Sequence, residues 1–195
     1  MVRVSLEAAI ERSFDGGCRW VVIREKDLDL DERLKLVETI LKIAEPYNAK
    51  ILVNADMKAA EMAHGVHLPQ GQSCTHARAT LSPDKIIGVS AHTIGEAGAA
   101  ASAGADYATI SPIFPTQSKP GYGPPLFLDG IKRVVGKVTI PLVALGGVTA
   151  ATALSCRRAG ASGVAVMGTI MRASDPAMAV YDILNQWYAG DNEAA

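Results

Sequence analysis

Short apolar runs recur along the chain, and most are followed by a segment rich in small residues whose apolar positions fall three and four apart. Seven runs read as strands: Trp20-Val21-Val22-Ile23, Ile51-Leu52-Val53, Gly65-Val66-His67-Leu68, Ile86-Ile87-Gly88-Val89, Tyr107-Ala108-Thr109-Ile110, Leu142-Val143-Ala144-Leu145 and Val164-Ala165-Val166-Met167. They are apolar almost throughout rather than alternating, the pattern of parallel strands covered on both faces. Between them, Asp31 to Ala44 sets Leu34, Val37, Ile40, Leu41 and Ala44 at helical spacing, and Pro46 stops the helix. Thr93 stands as N-cap before a helix over 94–102, with Glu96 three positions on and Gly104 after the last turn. Thr149 opens a similar unit over 150–159 that stops at Gly160; both units run helix, Ala-Gly-Ala, strand.

This alternation predicts repeated βα units around a parallel sheet. No composition break divides residues 1–195, so the chain reads as one domain, and the unit count predicts a (β/α)8 TIM barrel rather than an open doubly wound sheet. An eighth strand has room only at Val2 to Val4, ahead of a helical run from Leu6 to Phe14. The first strand of the barrel is therefore expected to be very short or missing.

Composition then narrows the function. Nineteen Lys and Arg against twenty Asp and Glu give a net charge of -1, so no bulk field recruits nucleic acid or an anionic membrane. No apolar run approaches the ~20 residues of a membrane-spanning helix. Arg3, Glu7 and Glu11 interrupt the N-terminal segment, unlike a signal peptide, and the expected location is the cytoplasm. Cys18, Cys74 and Cys156 are far apart and lack metal-ligand spacing; they read as buried or half-buried thiols.

In such a barrel the chemistry sits at the C-terminal ends of the strands. Those ends are polar here: Arg24-Glu25-Lys26-Asp27, Asn54-Ala55-Asp56, His67 to Gln72, Ser90-Ala91-His92, Ser111 to Lys119, Gly146-Gly147 and Gly168-Thr169. Gly146-Gly147 ends a strand and opens a helix, so its amides can approach a phosphate while the helix dipole favours the negative charge; Gly168-Thr169 supplies a second such turn. Plain tight turns are the competing reading of the same glycines. Arg24 and Lys26 alternate, so at most one faces the barrel axis unless the chain turns between them, and a solvated charge cluster is the alternative. The Pro- and Gly-rich loop from Ser111 to Pro125 is long for a connection and reads as a lid; Lys119, Thr116 and Ser118 on it suit a phosphate or diphosphate, a mobile surface loop being the alternative. His67 and His92 end or follow strands as acid/base or hydrogen-bonding groups, whereas His64 precedes one. Asp56 is the one carboxylate near the second strand end, and Gln70 and Gln72 occupy the next loop, so the residues themselves imply no metal site.

Taken in order, Arg24-Glu25-Lys26, Val53-Asn54, Gly65-Val66-His67-Leu68 with Gln70, Gly88-Val89-Ser90-Ala91-His92-Thr93, Gly104-Ala105-Asp106-Tyr107, Pro112-Ile113-Phe114-Pro115-Thr116 with Lys119, and Leu145-Gly146-Gly147-Val148 with Gly163-Val164-Ala165-Val166 resemble the thiamine-phosphate synthase/TenI family. The likeness runs from about Gly16 to the C-terminal helix. It implies a (β/α)8 barrel, usually a homodimer, whose synthase members join hydroxymethylpyrimidine diphosphate to thiazole phosphate and release diphosphate and thiamine phosphate. These phosphate esters are the implied partners. Carried over, Arg24, Lys26, Asn54, Ser90 and Lys119 resemble the pyrimidine-diphosphate contacts, with Arg24, Lys26, Ser90 and Lys119 as the catalytic set. Thr116 resembles a thiazole-phosphate contact, and Gly147, Gly168 and Thr169 the phosphate cradle. Magnesium is the implied cofactor, but the two acids that bind it in synthases correspond to Ala55 and Gln72. The glutamine that precedes Ile23 in the family is Val22, and the segment between Asn54 and His67 is two residues shorter. The TenI branch, a thiazole tautomerase, also lacks those acids, and its characteristic histidine falls on Pro112. The expected activity is the synthase reaction; the alternatives are a tautomerase using His67 or His92 and a noncatalytic paralogue that binds thiamine phosphate.

Overall fold

The computed structural model describes residues 5–118, 121 and 123–189. Seven strands, β1 (Trp20–Ile23), β2 (Lys50–Asn54), β3 (Gly65–Leu68), β4 (Ile86–Ala91), β5 (Tyr107–Ile110), β6 (Leu142–Leu145) and β7 (Gly163–Ala165), pair in sequence order, every pair parallel. The helices are α1 (Leu6–Asp15), α2 (Leu30–Ala44), α3 (Met57–Met62), α4 (Cys74–Thr80), α5 (Ile94–Ser102), α6 (Phe127–Val135), α7 (Ala150–Arg158), α8 (Gly168–Met171) and α9 (Pro176–Tyr188). The strand expected at Val2 to Val4 lies outside the described residues. One expected strand shifts: β7 starts at Gly163 and stops at Ala165, because Met167 already accepts from Ile170 at 3.1 Å as the turn into α8.

The sheet curls as a TIM-type barrel does. Trp20 on β1 and Tyr107 on β5 meet edge to face with ring centroids 5.3 Å apart. Four strand spacings of about 4.8 Å would hold them far apart in a flat sheet, so the sheet must curl strongly around its concave face. Strand parity separates two populations. Ile23, Ile51, Val53, Val66, Leu68, Ile87, Val89, Ala108, Ile110, Leu142 and Ala144 point outward into buried clusters against the helices. The register pairs the alternate residues with one another, Asn54 with His67, Gly88 with Tyr107 and Ser90 with Thr109, so they line the concave interior. The continuous apolar runs thus carry two different faces, and the inner one is polar toward the C-terminal end.

The outer layer is built from small residues where helix meets sheet: Ala59, Ala60, Ala77, Ala97, Ala100 and Ala153 are buried. Cys74 begins α4 and Cys156 lies inside α7, both buried, while Cys18 is half-buried; burial raises all three thiols above their ordinary pKa. Helix α9 packs against both α7 and α1, so the ring of helices is continuous past the two sheet edges among the described residues. Gly16 permits that contact, since a Cβ there would lie 2.3 Å from the Ala177 carbonyl oxygen.

Close strand approach makes Gly65 the most exacting position in the sheet: a Cβ would fall 1.9 Å from the Ile86 carbonyl oxygen and 2.7 Å from its nitrogen. Neither is the end of a flexible side chain, so the backbones must part. We expect Gly65→Ala to cost on the order of 3 kcal/mol and to lower the melting temperature by roughly 6–12 °C; an unchanged melting curve would contradict this packing.

Candidate active site

The interior polar groups converge toward the C-terminal mouth. His67, the third residue of β3, is 6% exposed; its Nδ1 lies 2.8 Å from the Tyr107 hydroxyl and its Nε2 2.9 Å from Ser90 Oγ. Burial depresses the imidazole pKa to about 4, so the ring is neutral at physiological pH. Burial also pushes the Tyr107 phenol well above its ordinary value, so it keeps its proton. If the phenol donates to Nδ1, its buried O–H is satisfied and Nε2 must carry the ring proton, which goes to Ser90 Oγ. Ser90 is then left with its own proton to donate into the interior. Thr109, directly across the register from Ser90, is 5% exposed, and no group among the described residues bonds its hydroxyl. Asn54, paired in register with His67, completes this inward set.

His92 follows β4 and is held on the rim rather than in the interior. Its Nδ1 lies 2.7 Å from the Ser111 carbonyl, an oxygen that only accepts, so Nδ1 is protonated. Glu96 links this corner to the next loop: Oε2 accepts from the His92 amide at 2.6 Å and Oε1 from Gln70 Nε2 at 2.9 Å. The cap of α5 is therefore made as expected by Thr93, which accepts from the Glu96 amide, but the glutamate reaches back one residue farther than a capping box requires.

On the other side of the mouth, Gly146 and Gly147 take φ of 94° and 67°, values that L side chains rarely adopt. The loop that begins at Ser111 packs directly on them: a Cβ on Gly147 would sit 2.5 Å from the Pro115 oxygen, and one on Gly146 3.0 Å from Pro112 Cα. One unit later, a Cβ on Gly168 would lie 2.6 Å from Ser118 Oγ and 2.5 Å from an Arg172 guanidinium nitrogen. Thr169 Oγ1 donates to the Val148 carbonyl at 3.3 Å, joining the two turns. Thr116 Oγ1 accepts from the Ser118 amide at 3.3 Å, closing a local turn in the loop. The two glycine turns, Ser118, Thr169 and Arg172 thus share one corner of the mouth. Lys119 lies outside the described residues.

Arg24 and Lys26 follow β1 and are both exposed. The carbonyl between them, that of Glu25, accepts from Arg33 Nε at 3.3 Å, and the Leu28 carbonyl accepts from Arg33 Nη2 at 2.6 Å. Arg33 Nη1 is also ion-paired and hydrogen-bonded to Asp56, whose other oxygen caps α3 by accepting from the Ala59 amide at 3.0 Å. Burial raises the Asp56 pKa, but these hydrogen bonds and the guanidinium outweigh it and hold the carboxyl below its ordinary range.

Magnesium asks for oxygen ligands, and the oxygens here do not fit it. Ala55 and Gln72 offer no carboxylate, and Asp56 is already engaged by Arg33 and its own helix cap. Among the described residues no three His, Cys, Asp or Glu side chains are grouped to hold a metal ion. Arg33, Tyr107 and Arg172 are the site residues that pattern reading missed. Tyr107 had a usable signal, a large polar-tipped ring in an apolar run with a glycine one strand away, whereas the partners of Arg33 and Arg172 depend on tertiary geometry.

A family described as thiamine monophosphate synthase matches residues 2–170. The chain is 34% identical to the thiamine-phosphate synthase of Clostridium novyi, over 88% of this chain and 85% of that protein. It is 35% identical to the thiamine-phosphate synthase of Chloroflexus aurantiacus, covering 88% and 80%. Among solved structures, a thiamine phosphate pyrophosphorylase from Pyrococcus furiosus superposes with a TM-score of 0.87 at 26% identity, over 96% of this chain and 91% of that one.

The His67 cluster has a pH signature. A histidine whose folded pKa is about 4 against an ordinary 6.5 contributes stability that is complete above 6.5 and is lost as pH falls toward 4, because in that window only the unfolded chain takes up the proton. The loss is on the order of 3 kcal/mol. Comparing the wild type with His67→Gln in melting experiments at pH 7 and pH 4.5, the wild-type advantage should shrink at the lower pH; a constant gap would refute the buried neutral imidazole.

Proposed function

Since the chain belongs to the thiamine monophosphate synthase family, we propose that it is a transferase that joins hydroxymethylpyrimidine diphosphate to thiazole phosphate, forming thiamine phosphate and diphosphate. The observation that carries this reading is the convergence on one mouth of two anion-binding rims, the glycine turns under the lid and the Arg24–Lys26 loop, around a polar interior. Two phosphorylated substrates need two such rims.

The reaction breaks the bond between the pyrimidine methylene carbon and the diphosphate oxygen, and the bonding pair leaves with the diphosphate. The thiazole nitrogen then donates its lone pair to the carbocation. Positive charge develops on the pyrimidine, so the groups beside it should be neutral or electron-rich. A His67 kept uncharged by burial meets that requirement. Ser90, oriented by His67, is placed to donate to a substrate oxygen or ring nitrogen, and Asn54 and Thr109 can fix its orientation. Negative charge on the departing diphosphate is met by Arg24, Lys26 and Lys119 rather than by protein carboxylates holding magnesium. The thiazole phosphate takes the Gly146-Gly147 and Gly168-Thr169 amides with Thr116 and Ser118. The resemblance also supports a homodimer acting in the cytoplasm; among the described residues no helix is long and apolar enough to cross a membrane.

Incubating the protein with both substrates and magnesium should yield thiamine phosphate and diphosphate in equal amounts, and the absence of both products would remove the reading. Ser90→Ala should lower kcat/KM for the pyrimidine diphosphate roughly 100-fold. Gly147→Ala, which pushes the lid base away from the cradle, should instead raise KM for thiazole phosphate about tenfold, a loss near 1.4 kcal/mol. If both variants affected the two substrates alike, the division of the mouth into two anion sites would be wrong.

A further inference from the structure

Resting on the synthase reading, we propose that Arg33 is the positioning residue of the diphosphate site: its guanidinium holds the loop that carries Arg24 and Lys26 in one shape and ties it to the turn after β2 through Asp56.

The placement of Arg33 runs against local preference. It lies in the first turns of α2, where the helix dipole is positive and disfavours a cation; the capping Asp29 with Asp31 and Glu32 offsets this in part. Because side chains lean toward the helix N-terminus, the guanidinium reaches back to the C-terminal rim of the sheet rather than out to solvent. It is only 20% exposed. There it donates to two main-chain carbonyls of the loop, those of Glu25 at 3.3 Å and Leu28 at 2.6 Å, and to the Asp56 carboxylate. Bonds to carbonyls fix the course of the chain itself, and the Glu25 carbonyl lies between the two cationic residues. The far end of the brace is rigid, since Asp56 is 13% exposed and also caps α3 through the Ala59 amide at 3.0 Å.

Among the described residues neither Arg24 nor Lys26 forms an ion pair, so both charges are directed by the loop alone. A loop ordered before the anion arrives spares binding the entropy of ordering it. A planar fork with five donors can satisfy two carbonyls and a carboxylate together; a lysine ammonium cannot reproduce that spread. Arg33 thus acts through Arg24 and Lys26 without touching substrate.

The test uses the full chain and inorganic diphosphate as probe. By titration calorimetry, Arg33→Gln should weaken diphosphate binding about tenfold, Arg33→Lys should recover only part of the affinity, and Asp56→Asn should fall between wild type and Arg33→Gln. Binding of inorganic phosphate in the glycine cradle should stay within about twofold. In turnover, the same variants should lower kcat/KM for the pyrimidine diphosphate and leave KM for thiazole phosphate within about twofold. Unchanged diphosphate affinity in a folded Arg33→Gln or Arg33→Lys protein would overturn the proposal, as would equal loss of phosphate and diphosphate binding. If Arg33→Gln fails to fold, Arg33→Lys and Asp56→Asn decide the matter on the same readouts. Should the wild type bind diphosphate, and these variants lose it, while no thiamine phosphate is ever made, the positioning role stands and the synthase reading falls.

Discussion

Tyr107 lies across β4 because residue 88 has no side chain. A Cβ on Gly88 would stand 2.1 Å from the tyrosine Cζ, so the two residues occupy one space and only this combination lets the ring cross. From there the ring meets Trp20 of β1 at 5.3 Å and His67 of β3 at 5.6 Å between centroids, and its hydroxyl reaches the imidazole. Four strands are thereby coupled through the interior, by a contact no ladder hydrogen bond supplies. The tautomer of His67, the orientation of Ser90 and the curl of the sheet are tied to that crossing.

The two rims proposed to hold the substrate anions use different physics. The glycine turns work by removal: bare backbone with left-handed φ brings amides forward, and the loop residues Phe114, Pro115 and Ser118 fill the space that side chains would have taken. The Arg24–Lys26 rim works by bracing, with its cations left in solvent and its backbone tied down from below. The first is rigid by sterics and tolerates no added atom. The second depends on a few charge-assisted hydrogen bonds, which makes it sensitive to single substitutions far from any substrate.

Most of the barrel was legible because its strands are short apolar runs separated by breakers; β1, β3, β5 and β6 carry the bounds their composition suggested. The end of β7 was not, since Val166 and Met167 are as apolar as the strand and only the helix beginning at Gly168 ends it. Helices α3 and α4 have six and seven residues, too short for periodicity to register, and are held by Asp56 and Ser73 caps and by alanine packing. In the site, position at strand ends identified Ser90, His67 and Asn54, because parity alone turns them inward. That Ala55 and Gln72 carry no carboxylate was equally plain. What pattern could not supply was the fate of Asp56: its partner stands 23 residues earlier on another helix, and nothing in the spacing announces it.

The three cysteines extend this picture in an unplanned direction. Cys74 and Cys156 belong to different helices, buried and with thiols made less acidic by burial, so a small electrophile can reach them only when that helix opens. Each is a built-in clock for the breathing of its own segment, α4 for one and α7 for the other. Timing their alkylation would separate, without any engineered label, how often the layer on each flank of the barrel loosens while the sheet beneath stays intact.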